Sequence, residues 1–307
     1  MHLREGFVDS EGHQLAWLAA NEHLTQTDQP AIVFIHGVLA SVYFWPAVLP
    51  PDIRDGMPWY ALSLPAHAPS RVPGDFHADQ VTAEGFNHIM ESGLNALLGT
   101  RKAIIVGHST GGFSGLNLAL HHAPNVTGVI SIGGFHSGQW QGLEGLLIKL
   151  AGLGRWAKPI FELNIRAARR SRLIQKLFAT SLAHRRRVFW RSPATHRMLD
   201  AIATHADQIQ SAALFELFRG IHRIDIADDL HRIEVRCHIF AGTHDPTIQA
   251  AQSLVLAAEI PGARAVALRK VGHMPFMEAP DILWPHLIAA LAEHGAGQRK
   301  GQQPETG

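Results

Sequence analysis

The chain has 307 residues, 46% hydrophobic and 17% charged, enough for one large domain or two smaller ones around a sizeable core. Its formal net charge of +1 excludes general affinity for nucleic acid. A single cysteine, Cys237, excludes an internal disulfide framework; it lies in an apolar run and is expected to pack in the core.

Residues 1–6 carry none of the apolar stretch of a secretory signal, and no window reaches the ~18 consecutive apolar residues of a membrane span. A cytoplasmic protein is therefore expected. The first patterned segment, residues 7–18 broken by Asp9-Ser10-Glu11-Gly12, predicts a hairpin of two short strands. Short continuous apolar runs follow at 31–35, 59–64, 103–106, 126–132, 235–241 and 263–268. Runs without alternation suit strands buried on both faces. Helical patterns at 83–98, 113–122, 247–259 and 282–293 fall between them. Strands alternating with helices predict an α/β fold, a mostly parallel central sheet flanked by helices.

From 135 to 229 the pattern turns helical almost throughout, with Pro159 and Pro193 marking helix starts or breaks. We read this interval as an all-helical cap or lid over the sheet's carboxyl edge. It divides the core into residues 1–134 and 230–294, and residues 295–307, polar and glycine-rich, read as a disordered tail. The 21 histidines include no HExxH or similar ligand spacing, so neither a metal nor another cofactor is expected.

The run 103–106 ends in Gly107-His108-Ser109-Thr110-Gly111-Gly112 and then a helix. A G-x-S-x-G pattern alone is weak; between a buried strand and a helix it describes a sharp turn that raises a serine hydroxyl from the sheet's end. Gly107 and Gly111 leave room where a Cβ would collide with its neighbours. Serine needs a histidine to take its proton and a carboxylate to hold that histidine in the right tautomer. Two later strand ends supply them, Asp245 in Gly242-Thr243-His244-Asp245-Pro246 and His273 in Gly272-His273-Met274-Pro275-Phe276. At the end of the 31–35 strand, His36-Gly37-Val38-Leu39 frees the backbone to turn. The Val38 and Thr110 amides could thus converge on one oxyanion. Each piece has a bland reading by itself: Asp245 as a turn initiator, His273 as a loop histidine. His108 is expected to pack under the serine turn, and His36 to support its own turn. Four elements in the order of Ser, acid and His, each at a strand end, favour the catalytic reading.

With these motifs, over nearly its whole length, the sequence resembles an α/β-hydrolase of the capped esterase and lipase-like branch. That resemblance implies Ser109 as nucleophile, His273 as general base and then acid, and Asp245 as its orienting partner. It also implies oxyanion-hole amides from Val38 and Thr110, supported by His36, Gly37, Gly107 and Gly111. Where relatives often carry D-x-x-G-x-G, this chain has Ser63-Leu64-Pro65-Ala66-His67-Ala68, which alters the pocket wall. Serine at the turn argues against haloalkane dehalogenases and the related epoxide hydrolases. Carboxylesterase, lipase, thioesterase, lactonase, carbon–carbon hydrolase and perhydrolase remain open, as does a non-catalytic binding protein on the same fold.

Between Lys158 and Arg197 stand eleven Lys or Arg residues against one acid, Glu162. This stretch is either a solvated basic face balanced by acids elsewhere or a docking face, centred on Arg185, Arg186 and Arg187, for an anionic carrier or a membrane surface. The apolar residues between the charges fit an amphipathic helical cover on a hydrophobic cleft, hence a small-molecule acyl ester of apolar character.

Overall fold

The computed structural model describes residues 2–26 and 28–296. Its centre is a sheet of eight strands: β1 Leu3–Ser10, β2 His13–Ala20, β3 Ala31–Ile35, β4 Trp59–Leu62, β5 Ala103–His108, β6 Val126–Ile132, β7 Arg236–Gly242 and β8 Arg264–Leu268. They lie in the order β1-β2-β4-β3-β5-β6-β7-β8, antiparallel at β1/β2 and β2/β4 and parallel from β4 through to β8. Alternate side chains of the parallel strands enter two cores. Val33, Ile35, Ile105, Val129 and Ile239 face one side; Ile32, Phe34, Val106, Ile130 and Phe240 face the other. Burial on both faces is why β3 to β7 read as continuous apolar runs, whereas β8, expected to be buried likewise, lies at the sheet edge and is largely exposed.

Helices cover both faces. In chain order they are α1 Phe44–Val48, α2 Pro51–Arg54, α3 Ala83–Leu98, α4 Thr110–Leu120, α5 Gly142–Gly152, α6 Lys158–Arg170, α7 Arg172–Leu182, α8 Arg186–Arg191, α9 Pro193–Thr204, α10 Ser211–Ile221, α11 Ala250–Glu259, α12 Pro275–Glu278 and α13 Pro280–Glu293. The chain between β6 and β7 forms α5 to α10, with Pro159 in the first turn of α6 and Pro193 opening α9. Among the described residues no helix is long and apolar enough to cross a membrane. Of the predicted tail, residues 297–307 lie outside the described residues.

The hairpin strands run longer than the pattern, Leu3–Ser10 and His13–Ala20 with only Glu11 and Gly12 between them, and three other boundaries differ for local reasons. The helix expected from 247 begins at Ala250, because the Thr247 and Ile248 N–H groups donate to Asp245 Oδ1 at 2.8 and 2.9 Å and close a turn instead. The strand expected to reach 64 stops at Leu62, and the Leu64 N–H donates to His36 Nε2 at 3.3 Å. Helix α4 starts at Thr110, three residues earlier than its apolar pattern, since Gly111 and Gly112 fit its crowded first turn.

Candidate active site

The parallel register aligns the carboxyl ends of the strands, with Ile35 beside Gly107 and Gly107 beside Ser131. Ser109 stands at the end of β5 with φ 53° and ψ −117°, a left-handed conformation that costs a non-glycine residue about 1–3 kcal/mol. Neighbouring structure holds it there. Its N–H donates to the Ile132 carbonyl at 2.9 Å, and its own carbonyl accepts from Phe113 N–H at 3.0 Å, opening α4. A Cβ on Gly107 would run into the Gly111 backbone, and one on Gly111 into the Ile35 carbonyl, so the turn demands glycine at both. The Ser109 side chain is buried, and its Oγ has no hydrogen-bond partner among the described residues.

His273 and Asp245 meet across the ends of β7 and β8. His273 Nδ1–H donates to Asp245 Oδ2 at 2.6 Å, with the two side chains only 1% and 2% exposed. Asp245 is fixed from behind by the Thr247 and Ile248 amides on its other oxygen. The donating Nδ1 leaves His273 Nε2 unprotonated in the neutral ring, buried and without a partner, at the same cavity as Ser109. Burial alone would depress this imidazole. The charge and hydrogen bond of Asp245, with the fields of Glu144 and Glu278, outweigh burial and raise it to about 9.

The Gly37 turn packs against the serine: a Cβ on Gly37 would stand 3.0 Å from Ser109 Cβ. Thr110 opens α4, so its N–H has no intrahelical acceptor, and Val38 N–H has no backbone acceptor among the described residues. His36 Nδ1–H donates to the Gly37 carbonyl at 2.8 Å, while Nε2 faces Ser63 Oγ at 3.0 Å and accepts from Leu64 N–H. Burial, then the neighbouring His67, push His36 down to about 3, so it is a neutral support of the turn. His67, in the segment that departs from the family pattern, has a role the sequence pattern did not disclose. Its Nε2 accepts from Leu39 N–H at 3.0 Å and its Nδ1–H donates to the Pro65 carbonyl, bracing a turn in which Leu39 has φ 59°.

Two further side chains hold His273. His108 Nε2 pairs with the His273 carbonyl at 2.9 Å, with its ring stacked on Phe44. Glu278, 1% exposed, accepts from Gly272 N–H at 3.1 Å and Met274 N–H at 3.4 Å, on both sides of His273. It also accepts from Arg185 N–H at 2.7 Å, while His273 N–H donates to the Leu182 carbonyl at 2.9 Å. The histidine loop is therefore clamped to the α7–α8 connection. In E278Q an amide N–H would face these buried donors. We expect the variant to lose about 2 kcal/mol of stability in urea unfolding, the usual penalty for a buried polar group left unpaired. An unchanged midpoint would show that the clamp carries none.

Above these residues lies a cavity of about 520 Å³, within the range of small-molecule sites. Val38, Ser109 and His273 line its floor; Leu147 and Leu150 of α5, Ile165 of α6, Phe178 of α7 and Leu214 of α10 line its walls. One carboxyl, Glu144, sits in that lining. The basic stretch divides into two sets. Lys158 pairs with Glu216, Arg166 with Glu162, Arg169 with Asp207 and Arg172 with Asp200. Arg185 donates from Nη1 to the Glu278 carbonyl at 2.9 Å and Arg197 to the Ala47 carbonyl at 3.0 Å. One of the three arginines expected to face an anion is thus engaged inside the chain. The Arg170, Lys176, Arg186, Arg187 and Arg191 side chains are exposed. Among the described residues no three His, Cys, Asp or Glu side chains are placed to share a metal ion. Cys237 is buried in the core, its thiol pushed up to about 12 by burial.

A profile of the alpha/beta hydrolase fold family matches residues 30–280. The chain is 24% identical over 275 residues to the "Putative carbamate hydrolase RutD" of Escherichia coli O81 (strain ED1a), covering 86% of this chain and 92% of that protein. Its fold is similar to that of the enol-lactonase from Burkholderia xenovorans LB400, with TM-score 0.70 and 18% identity over 94% of this chain and 100% of the other. It is also similar to a thermophilic esterase from Thermogutta terrifontis, with TM-score 0.68 and 20% identity over 95% of this chain and 99% of the other.

Proposed function

Because the chain belongs to the alpha/beta hydrolase fold family, we propose that it is a serine hydrolase cleaving carboxylic esters of hydrophobic substrates. The observation that carries this reading is the buried 2.6 Å Asp245–His273 hydrogen bond beside the strained Ser109 turn, both opening on one apolar cavity. A protein that only bound ligands would have no use for an oriented base sharing a cavity with a strained serine. We read α5 to α10 as the cap that closes this cavity.

In this reading Ser109 Oγ attacks the ester carbonyl carbon as its proton passes to His273 Nε2. The carbonyl electrons move onto oxygen, which the Val38 and Thr110 N–H groups stabilise. Collapse of the tetrahedral species breaks the bond to the alcohol, which leaves with the proton from His273, and an acyl-Ser109 ester remains. Water, losing a proton to His273, adds to that ester; the acid departs and the proton returns to Ser109. Asp245 keeps His273 Nδ1 protonated throughout and offsets the imidazolium charge. A fluorophosphonate probe tests the reading directly, since an unactivated serine hydroxyl does not add to its phosphorus. Labelling of the folded protein at Ser109 supports a hydrolase; a folded protein left unlabelled points to a binding protein on the same fold.

Arg170, Lys176, Arg186, Arg187 and Arg191, without an ion pair among the described residues, are exposed on the helices that also expose Leu173 and Leu177, which favours a second reading. In it the enzyme hydrolyses thioesters or carrier-linked acyl groups, with an anionic partner or membrane surface on the basic face. The double reversal R186E/R187E, which leaves the structurally engaged Arg185 in place, should then lower kcat/KM for an acyl-coenzyme A about tenfold at low salt and spare a short neutral ester. Equal effects on both substrates would sink the docking reading.

A further inference from the structure

The cavity lining contains one carboxyl, and the proposed ester chemistry leaves it unused. Glu144 is 3% exposed, lines the cavity beside Ser109 and His273, and has a buried Oε2 with no hydrogen-bond partner among the described residues. Leu147 and Leu150 share the lining with it, and the charges of His273 and Asp245 reach its carboxyl. A buried carboxyl oxygen left without a hydrogen bond costs free energy, and buried polar groups are normally satisfied, so its presence calls for a partner. The backbone around it is built to hold it still. The Gln141 N–H donates to the Thr247 carbonyl at 2.9 Å, pinning the start of α5 to the turn that carries Asp245. The Gly145 N–H donates to the Gln141 carbonyl at 2.8 Å, and buried Trp140 packs edge-on against Phe135.

We propose that Glu144 forms a recognition subsite, in which its carboxyl hydrogen-bonds a neutral oxygen function, a hydroxyl or a second carbonyl, carried by the ester close to the scissile bond. This rests on the hydrolase reading above and deepens it. The apolar wall selects a neutral partner, because burying a carboxylate with an ammonium group strips both of water. The state of the carboxyl agrees. Burial, then the charge of Asp245, raise Glu144 to about 7 against the opposing pull of His273, so near neutral pH it can donate from O–H as well as accept. A hydrocarbon ester would leave the carboxyl unpaired; an oxygenated one satisfies it.

The test compares matched p-nitrophenyl esters, levulinate against valerate and β-hydroxybutyrate against butyrate, with monohexanoylglycerol against propyl hexanoate for the alcohol side. A β-alanyl ester supplies the cationic comparison. Wild type should favour the oxygenated member of at least one pair by about tenfold in kcat/KM, the worth of one net hydrogen bond. E144L should abolish that preference, and E144Q, which still donates and accepts, should keep part of it. Ratios unchanged within about twofold in both variants, or a gain confined to the β-alanyl ester, would overturn the subsite. Turnover by wild type separates this failure from that of the hydrolase reading. If no ester is cleaved and Ser109 takes no probe, the hydrolase reading falls and the subsite with it.

Discussion

Replacing Ser109 with alanine is expected to lower ester turnover by about six orders of magnitude, the loss typical when a triad nucleophile is removed. At about 1.4 kcal/mol per tenfold this is roughly 8 kcal/mol of barrier. The size follows from what Ser109 does in the proposed mechanism: without Oγ there is no acyl-enzyme, and water must attack the substrate directly. The fold should tolerate the change. Alanine removes only an unpartnered hydroxyl, and the hydrogen bonds that hold the turn, Ser109 N–H to Ile132 and Phe113 N–H to Ser109, belong to the backbone. S109A should therefore melt close to wild type while losing both turnover and fluorophosphonate labelling. Residual turnover within a hundredfold of wild type would mean that another group is the nucleophile.

Asp245→Asn should cost about 10⁴-fold in kcat, by the logic of a triad whose histidine is held in the wrong tautomer. The local hydrogen bonds make the direction specific. Thr247 and Ile248 N–H both donate to Oδ1, so an asparagine would keep its carbonyl oxygen there and present its NH₂ where Oδ2 now meets His273 Nδ1. An NH₂ at that place needs an acceptor, which moves the imidazole proton to Nε2 and leaves the cavity-side nitrogen unable to take a proton from Ser109. D245N should stay folded, with its turn intact, and lose kcat far more than KM. A rate within tenfold of wild type would assign the orienting role to another carboxylate, and Glu144 and Glu278 are the two whose fields reach the same imidazole.

The fold was legible because its cause is local and repeated. Each buried parallel strand shows as a short apolar run, and each run ends within two residues of the point where the chain leaves the sheet. That placed Gly37, Ser109, Asp245 and His273 at one edge before any contact was known. The exact ends of elements were not legible, since they depend on hydrogen bonds from afar. Helix α11 starts late because Asp245 captures two amides, and β4 stops early because His36, 28 residues away, captures Leu64.

Sequence by itself determined the fold class, the serine turn and the candidate acid and base, since pattern and chain order carry all of these. Only the tertiary structure decided the surroundings. It put the Glu278 carboxylate on the amides flanking His273 and on Arg185, 93 residues away, so that arginine braces the histidine loop. It spread the acids Asp200, Asp207 and Glu216 onto the basic helices and left Arg186 and Arg187 to solvent. It sank Glu144 into the cavity wall. Burial and ion pairing are set by what the rest of the chain brings alongside a residue, and spacing along the chain does not encode that.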